Sequence, residues 1–233
     1  MIASSENMEK GFTLIEMVVA ILISAIVIGG SYAGYAFMSR QYEQMRSQTS
    51  IDSLTLRTID LIQSDIRMAG YKDYQSLYAM IPSQAATISA SVITTSPASH
   101  DISVVLDDYD IGSSTANRVL IRYYLQSYTP SGGQVRNRLI RDFRQCTNPA
   151  LGCTLATSTS KYLSSTGGEP ILDWVTNFSV TANNKTIGTF VGVPQLITIN
   201  LGVTAPRKIE GTTTKVTKNF TFMTRLKNVS LVQ

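Results

Sequence analysis

Glu16 is the first side chain that chemistry singles out in this sequence. It is the only charged residue between Lys10 and Arg40, and the chain around it is apolar or small through Met38. A charged side chain in hydrocarbon costs roughly 3 kcal/mol even on the gentlest scales. A carboxylate kept at the start of such a segment is therefore a functional candidate, most simply as the partner of a cation brought to it in a low-dielectric setting. The competing reading is an acid that snorkels to the headgroups from one turn inside the helix. Just before it lies an abrupt junction: a charged leader ends at Lys10-Gly11, and Phe12-Thr13-Leu14-Ile15 begins the apolar run.

Other residues could do chemistry, with less support. Cys146 and Cys153 are the only cysteines and His100 the only histidine. Two cysteines and one distant histidine cannot fill a tetrahedral metal site, which leaves a disulfide or two free thiols. Asp107-Asp108-Tyr109-Asp110-Ile111-Gly112 offers oxygens of the kind calcium takes, but it lacks the twelve-residue loop pattern and a late glutamate. A solvated turn is the expected state, with Asp107, Asp108 and Asp110 kept only as metal candidates. No nucleophile–base–acid set can be assembled around His100, and no glycine loop of the phosphate-cradling type occurs. Arg118, Arg122, Arg136, Arg138, Arg141 and Arg144, interleaved with Tyr123, Tyr124 and Phe143, could stack on single-stranded nucleic acid. A solvated strand face or a subunit contact is the preferred reading. Neither an enzyme nor a cofactor is expected.

The elements that must position these groups are legible from period and punctuation. No proline occurs before Pro82, and residues 12–69 read as one long helix. Its first part, 12–38, is longer than the about 20 helical residues that cross a bilayer core. Arg40 and Arg46 follow it, a placement that by the charge rule marks the cytoplasmic side, although long domains translocate largely regardless of charge. Gly29, Gly30 and Gly34 interrupt the apolar part at a cost of about 1 kcal/mol each against alanine, in a spacing that also suits close helix packing. Beyond Ser39 the helix turns amphipathic. Ile59, Ile62, Ile66 and Ala69 form one stripe, with Ile51, Leu54, Leu61 and Met68 beside it. Such a face suits a helix laid on a sheet, and Gly70 is the expected left-handed cap.

Residues 80–100 read as a loose connector with one short strand near 88–94. Then the period becomes two. Val119, Ile121, Tyr123 and Leu125 alternate with Leu120, Arg122, Tyr124 and Gln126, the pattern of a half-buried strand. Pro130-Ser131-Gly132-Gly133 is a turn, with Val135–Phe143 as the hairpin partner. Further strands are expected over Ile171–Ala182, Gln195–Val203 and Val216–Lys227. Strands clustered after one long helix imply an α+β domain with an antiparallel sheet. With 233 residues there is room for one domain plus a helix, and the net charge of +4 permits anionic partners without arguing for them.

The junction Lys10-Gly11-Phe12-Thr13-Leu14-Ile15-Glu16 closely resembles the signal of type IV prepilins and type II secretion pseudopilins. Asp65-Ile66-Arg67-Met68-Ala69-Gly70-Tyr71, Ile121-Arg122-Tyr123-Tyr124-Leu125, Arg138-Leu139-Ile140-Arg141, Val175-Thr176-Asn177-Phe178 and Thr224-Arg225-Leu226-Lys227-Asn228 resemble the PilW family of minor pilins and, more distantly, minor pseudopilin J. The resemblance implies a pilin fold in which 1–11 is a leader, 12–38 the membrane and filament-core half of the helix, 39–70 its amphipathic half, and 71–233 a β-rich domain. It implies cleavage between Gly11 and Phe12 by a membrane prepilin peptidase, methylation of Phe12, and pairing of Glu16 with the N-terminal amine of a neighbouring subunit. The implied partners are other minor and major pilins, the inner membrane and a tip adhesin, with the β-domain periplasmic before assembly and on a surface pilus after it. A domain outside the cytoplasm meets oxidising conditions, which favours a Cys146–Cys153 bridge. The implied function is a minor pilin of the initiating or tip complex. The alternatives are a minor pseudopilin of type II secretion and, from another class, a DNA-binding pilin used in uptake.

Overall fold

The computed structural model describes residues 13–72, 84–90, 100–108, 117–130, 133–148, 152–161, 167–187, 190–205 and 215–228. Among the described residues one helix, α1 (Leu14–Met68), is followed by nine strands: β1 (Ala86–Ala90), β2 (His100–Asp108), β3 (Asn117–Tyr128), β4 (Arg136–Cys146), β5 (Ser158–Ser160), β6 (Glu169–Asp173), β7 (Val175–Ile187), β8 (Phe190–Thr204) and β9 (Thr217–Arg225). The expected α+β architecture, one long N-terminal helix on antiparallel sheet, is the one found. The sheet is divided in two. Six strands run β1-β2-β3-β4-β5 with β6 also on β4, and three run β7-β8-β9.

Both ends of α1 are set by local chemistry. Thr13 caps the N-terminus, and Gly70, at φ 77°, follows the last turn in the left-handed conformation expected of it. The Gly70 N–H then donates to the Val105 carbonyl at 2.8 Å, tying the helix end to β2. Asn228 Nδ2 donates to the Arg67 and Met68 carbonyls at 3.2 and 3.4 Å and so satisfies helix-end acceptors from the far end of the chain.

From Ile51 onward one face of α1 is buried, and the helix touches β2, β6, β8 and β9, bridging the two sheets. The buried face is Ile51, Thr55, Thr58, Ile59, Ile62 and Ile66, with Ala69 after it. The stripe through Ile59, Ile62, Ile66 and Ala69 lies where the sequence put it. The adjoining stripe does so only in part: Ile51 is buried and Leu61 half-buried, but Leu54 and Met68 are exposed, and Thr55 and Thr58 lie on the buried face with Ile51. Thr58 is accepted there because its hydroxyl bonds the Leu54 carbonyl at 3.0 Å. Opposite the helix lie Ile102, Val104, Tyr123 and Leu139 of the larger sheet and Phe178, Ile197, Ile199 and Leu201 of the smaller, one continuous core.

Three sequence expectations are corrected. Asp107 and Asp108 are not in a solvated turn but close β2, with Asp107 buried; the strand 100–108 was not anticipated, although Ile102, Val104 and Leu106 alternate inward. The strand expected over 88–94 runs over Ala86–Ala90, and 91–94 lie outside the described residues. The strand expected over Ile171–Ala182 is two strands in different sheets. Asp173 pairs with Arg138 and Val175 with Val203, so the chain changes sheet at Trp174. Trp174 stands at φ 64°, which costs a non-glycine residue about 1–2 kcal/mol. Its carbonyl accepts the Thr204 N–H at 2.9 Å.

Candidate functional site

Thr13 and Glu16 form a reciprocal cap. The Glu16 N–H donates to Thr13 Oγ1 at 3.3 Å, while Glu16 Oε2 accepts the Thr13 N–H and its hydroxyl, both at 2.9 Å. This is the S/T-x-x-E capping box, a signal that Thr13-Leu14-Ile15-Glu16 carries openly in sequence. It holds the carboxylate at the helix N-terminus, where the dipole also favours negative charge. The cap contacts both go to Oε2. Gly11 and Phe12 lie outside the described residues.

Beyond the cap the apolar half of α1 is bare. Leu14, Ile15, Ile21 and Ile28 are each at least two-thirds exposed. Among the described residues α1 is the one helix long and apolar enough to cross a membrane. A Cβ added at Gly29, Gly30 or Gly34 would meet nothing within 4 Å. Among the described residues these glycines pack against no other element.

The lower half of the helix is pinned to the β-domain by ionic contacts. Asp65 accepts a hydrogen bond from the Tyr123 hydroxyl, and Arg141 Nε donates to Asp65 Oδ2 at 2.9 Å and to Tyr123 Oη at 3.2 Å. Burial, then the Asp65 charge and hydrogen bond, push the Tyr123 hydroxyl well above its ordinary range. Burial opposes the Arg141 charge, yet the Asp65 hydrogen bond and charge outweigh it and hold that group above its usual value. Nearer the membrane half, Lys218 Nζ contacts both Asp52 oxygens at 2.8 and 2.7 Å. Sequence reasoning found Arg141 only as part of a basic cluster and gave no role to Asp65 or Tyr123 as partners. No local pattern links residues 58 or 76 positions apart.

The six arginines do not form a free basic face. Arg118 pairs with buried Asp107 at 2.9 Å, and Arg122 pairs with Asp101. Arg141 pairs with Asp65 and Arg144 with Asp142, each at 2.9 Å. Arg138 Nε and Nη2 converge on Gln126 Oε1 at 3.0 and 2.7 Å. Arg136 alone of the six has no such partner among the described residues; its guanidinium stacks 3.7 Å from the Trp174 ring centre. Of the metal candidates, Asp107 is committed to Arg118, Asp108 ends β2, and Asp110 lies outside the described residues. His100 opens β2 opposite Ala90. Among the described residues no acidic, histidine or cysteine side chains gather into a set that could hold a metal.

Cys146 and Cys153 are joined, with Cα atoms 5.5 Å apart, and the loop lies between β4 and β5 as the order of strands implied. The bridge packs with Val105 and Leu120 on the side of the larger sheet away from the helix. Gly152 within the loop has φ 86° and lies so near Gln84 that a Cβ would stand 2.3 Å from Oε1.

Residues 7–32 match the prokaryotic N-terminal methylation motif. The matched stretch contains the Gly11–Phe12 junction, the Thr13–Glu16 cap and the bare apolar helix through Tyr32. With the helix-on-sheet fold it supports a type IV pilin-like or pseudopilin protein; the motif implies processing by a prepilin peptidase and assembly with other pilins, and the apolar helix near the N-terminus suggests a single-pass membrane anchor. Neither a curated protein nor a solved structure gives a significant match to the chain.

Proposed function

We propose that the chain is a minor pilin of a Gram-negative type IV pilus, acting in the initiating or tip complex. It is made with the leader 1–11, cut between Gly11 and Phe12, and methylated on Phe12. Residues 12–38 then hold it in the inner membrane with the β-domain in the periplasm. It leaves the bilayer when Glu16 takes the N-terminal amine of an adjoining subunit, and it ends on a surface pilus beside other minor and major pilins and a tip adhesin. The observation that carries this reading is the cap at Glu16. The carboxylate sits at the head of an exposed, membrane-length helix and is held there by its cap with Thr13. Two opposite charges that meet in hydrocarbon relieve much of each other's penalty, so such a contact sets register between neighbours.

Processing is the direct test. Gly11→Val should leave a full-length protein in the membrane fraction, whereas the unaltered chain should begin at Phe12 with a methylated amine. N-terminal sequencing that still finds Phe12 first in the variant overturns the assignment. Immunoblots of sheared pili then separate the filament types. Recovery of the processed chain in sheared pili supports the pilus reading, and its absence there together with a secretion defect on deletion assigns it to a pseudopilin.

A further inference from the structure

We infer that Tyr32 and Tyr35 form a one-sided anchor in the phospholipid headgroup layer and set the depth of α1 in the bilayer. This rests on the membrane-anchored reading above and names the surface that fixes it.

The apolar half of α1 changes character at one point. Between Glu16 and Ser31 the only polar side chain is Ser24, and its hydroxyl donates to the Ala20 carbonyl of its own helix at 2.7 Å. A hydroxyl satisfied in that way tolerates hydrocarbon without an outside partner. From Ser31 onward polar groups return every few residues, at Tyr32, Tyr35, Ser39, Arg40, Gln41 and Tyr42. Tyr32 and Tyr35 are 75% and 73% exposed. At about 100° per residue they stand about 60° apart. Their side of the helix is opposite Ile51, Ile59, Ile62 and Ile66, the face that meets the β-domain. At the same level the domain side carries Gly29, Gly30, Ala33 and Gly34. One side of the stem is smooth and the other bears two phenols.

The depth follows from helix length. About 20 helical residues cross a hydrocarbon core of about 30 Å, and counted from Leu14 they end at Ala33. Tyr32 and Tyr35 straddle that border. A tyrosine ring is apolar while its hydroxyl needs water or phosphate, which places it at the boundary between the two. A neighbouring helix is the other possible occupant, but small residues are what permit close helix approach. The smooth side suits that contact and leaves the phenols to lipid. The border so drawn falls before Met38. Ala36–Ser50 then form a stalk about 22 Å long at 1.5 Å per residue, which ends at Ile51, the first buried residue of α1. Glu16 lies within a turn of the opposite border. Chains anchored at one depth present this carboxylate at one level, as the proposed pairing with a neighbour requires.

The test measures depth along the stem. The full chain is placed in nanodiscs of phosphatidylcholine and phosphatidylglycerol. Spin labels are attached through Ile28→Cys, Ala36→Cys or Ser39→Cys, without reductant so that the Cys146–Cys153 bridge stays closed. Collision rates with oxygen and with a water-soluble nickel chelate report depth. The label at position 28 is expected deep in hydrocarbon, that at 36 in the headgroup layer, and that at 39 open to nickel. With Tyr32→Leu/Tyr35→Leu added, the apolar run reaches Met38 without a phenol, and the label at 39 is expected about 5 Å deeper, one helical turn. Both substitutions lie on the exposed stem, and every residue of the main core is at or beyond Ile51, so folding of the β-domain is not at stake. A label at 39 closed to nickel in the chain with both tyrosines, or a depth unchanged by the two leucines, overturns the tyrosine anchor and leaves the membrane span standing. Failure of the chain to co-elute with discs overturns both. Position 39 shares the tyrosine face, so spin–spin broadening there would mean that a second copy covers the face, and would also overturn the proposal.

Discussion

Glu16 has two demands on one carboxylate. In the single chain Oε2 closes the cap with Thr13, and in the proposed filament the carboxylate also meets a neighbour's amine. Glu16→Ala should spare cleavage, which depends on Gly11, and folding, because the buried core begins at Ile51. The expected result is normal processed protein in the membrane and little in sheared pili. Wild-type amounts in sheared filaments would show that Glu16 is not the assembly contact. Tyr123, on β3, meets the other end of the same helix through Asp65 and serves stability instead. Its folded pKa is raised above the ordinary 10.0, so its protonated hydroxyl contributes stability that is fully present below about pH 10 and is lost as pH rises past it. Tyr123→Phe should cost about 1–2 kcal/mol at neutral pH by leaving Asp65 and Arg141 short of a partner. It should also flatten the alkaline loss. Urea midpoints from pH 7 to above pH 10 measure both, and an unchanged alkaline slope in the variant would refute the role.

At the scale of elements, two closures hold the β-domain in register. Gly70 turns the chain off α1 at φ 77° and bonds β2. Gly70→Ala forces a side chain into that conformation and should cost about 1–2 kcal/mol, read as a lower denaturant midpoint with little change of slope. The Cys146–Cys153 bridge closes a short loop, so its share is modest, at most roughly 2–3 kcal/mol. Intact mass with alkylating agent, before and after reduction, should show no alkylation until reductant is added. Two alkylated cysteines in the unreduced protein would mean that there is no bridge.

For the whole molecule, membrane affinity and folding reside in different lengths of chain. The exposed apolar residues concentrate before Met38, whereas every residue of the main core lies at or beyond Ile51. Removing residues 1–38 should therefore give a soluble, folded domain, and size-exclusion chromatography at high and low salt would test it. A product that aggregates or partitions into membranes would place a second apolar surface on the β-domain.

The sequence by itself determined what depends on local period and punctuation. The membrane-length helix, its glycine stop, the acid at its head, the inward alternation of Val119, Ile121, Tyr123 and Leu125, and the hairpin to β4 all follow from side-chain spacing and turn residues a few positions apart. Strand β2 was legible in the same way, through Ile102, Val104 and Leu106, but its last residues, Asp107 and Asp108, belong to an aspartate run that reads equally as a turn. Tertiary structure alone decided which charges meet. Asp107 is consumed by Arg118, and Asp65 by Tyr123 and Arg141, because pairing strands and laying the helix across them brings distant residues within bonding distance. It also decided that the segment around Trp174 serves two sheets. A period of two continues through 171–182, but only the packed core determines where the backbone must turn, and the left-handed residue at that turn carries a tryptophan that no turn signal announces.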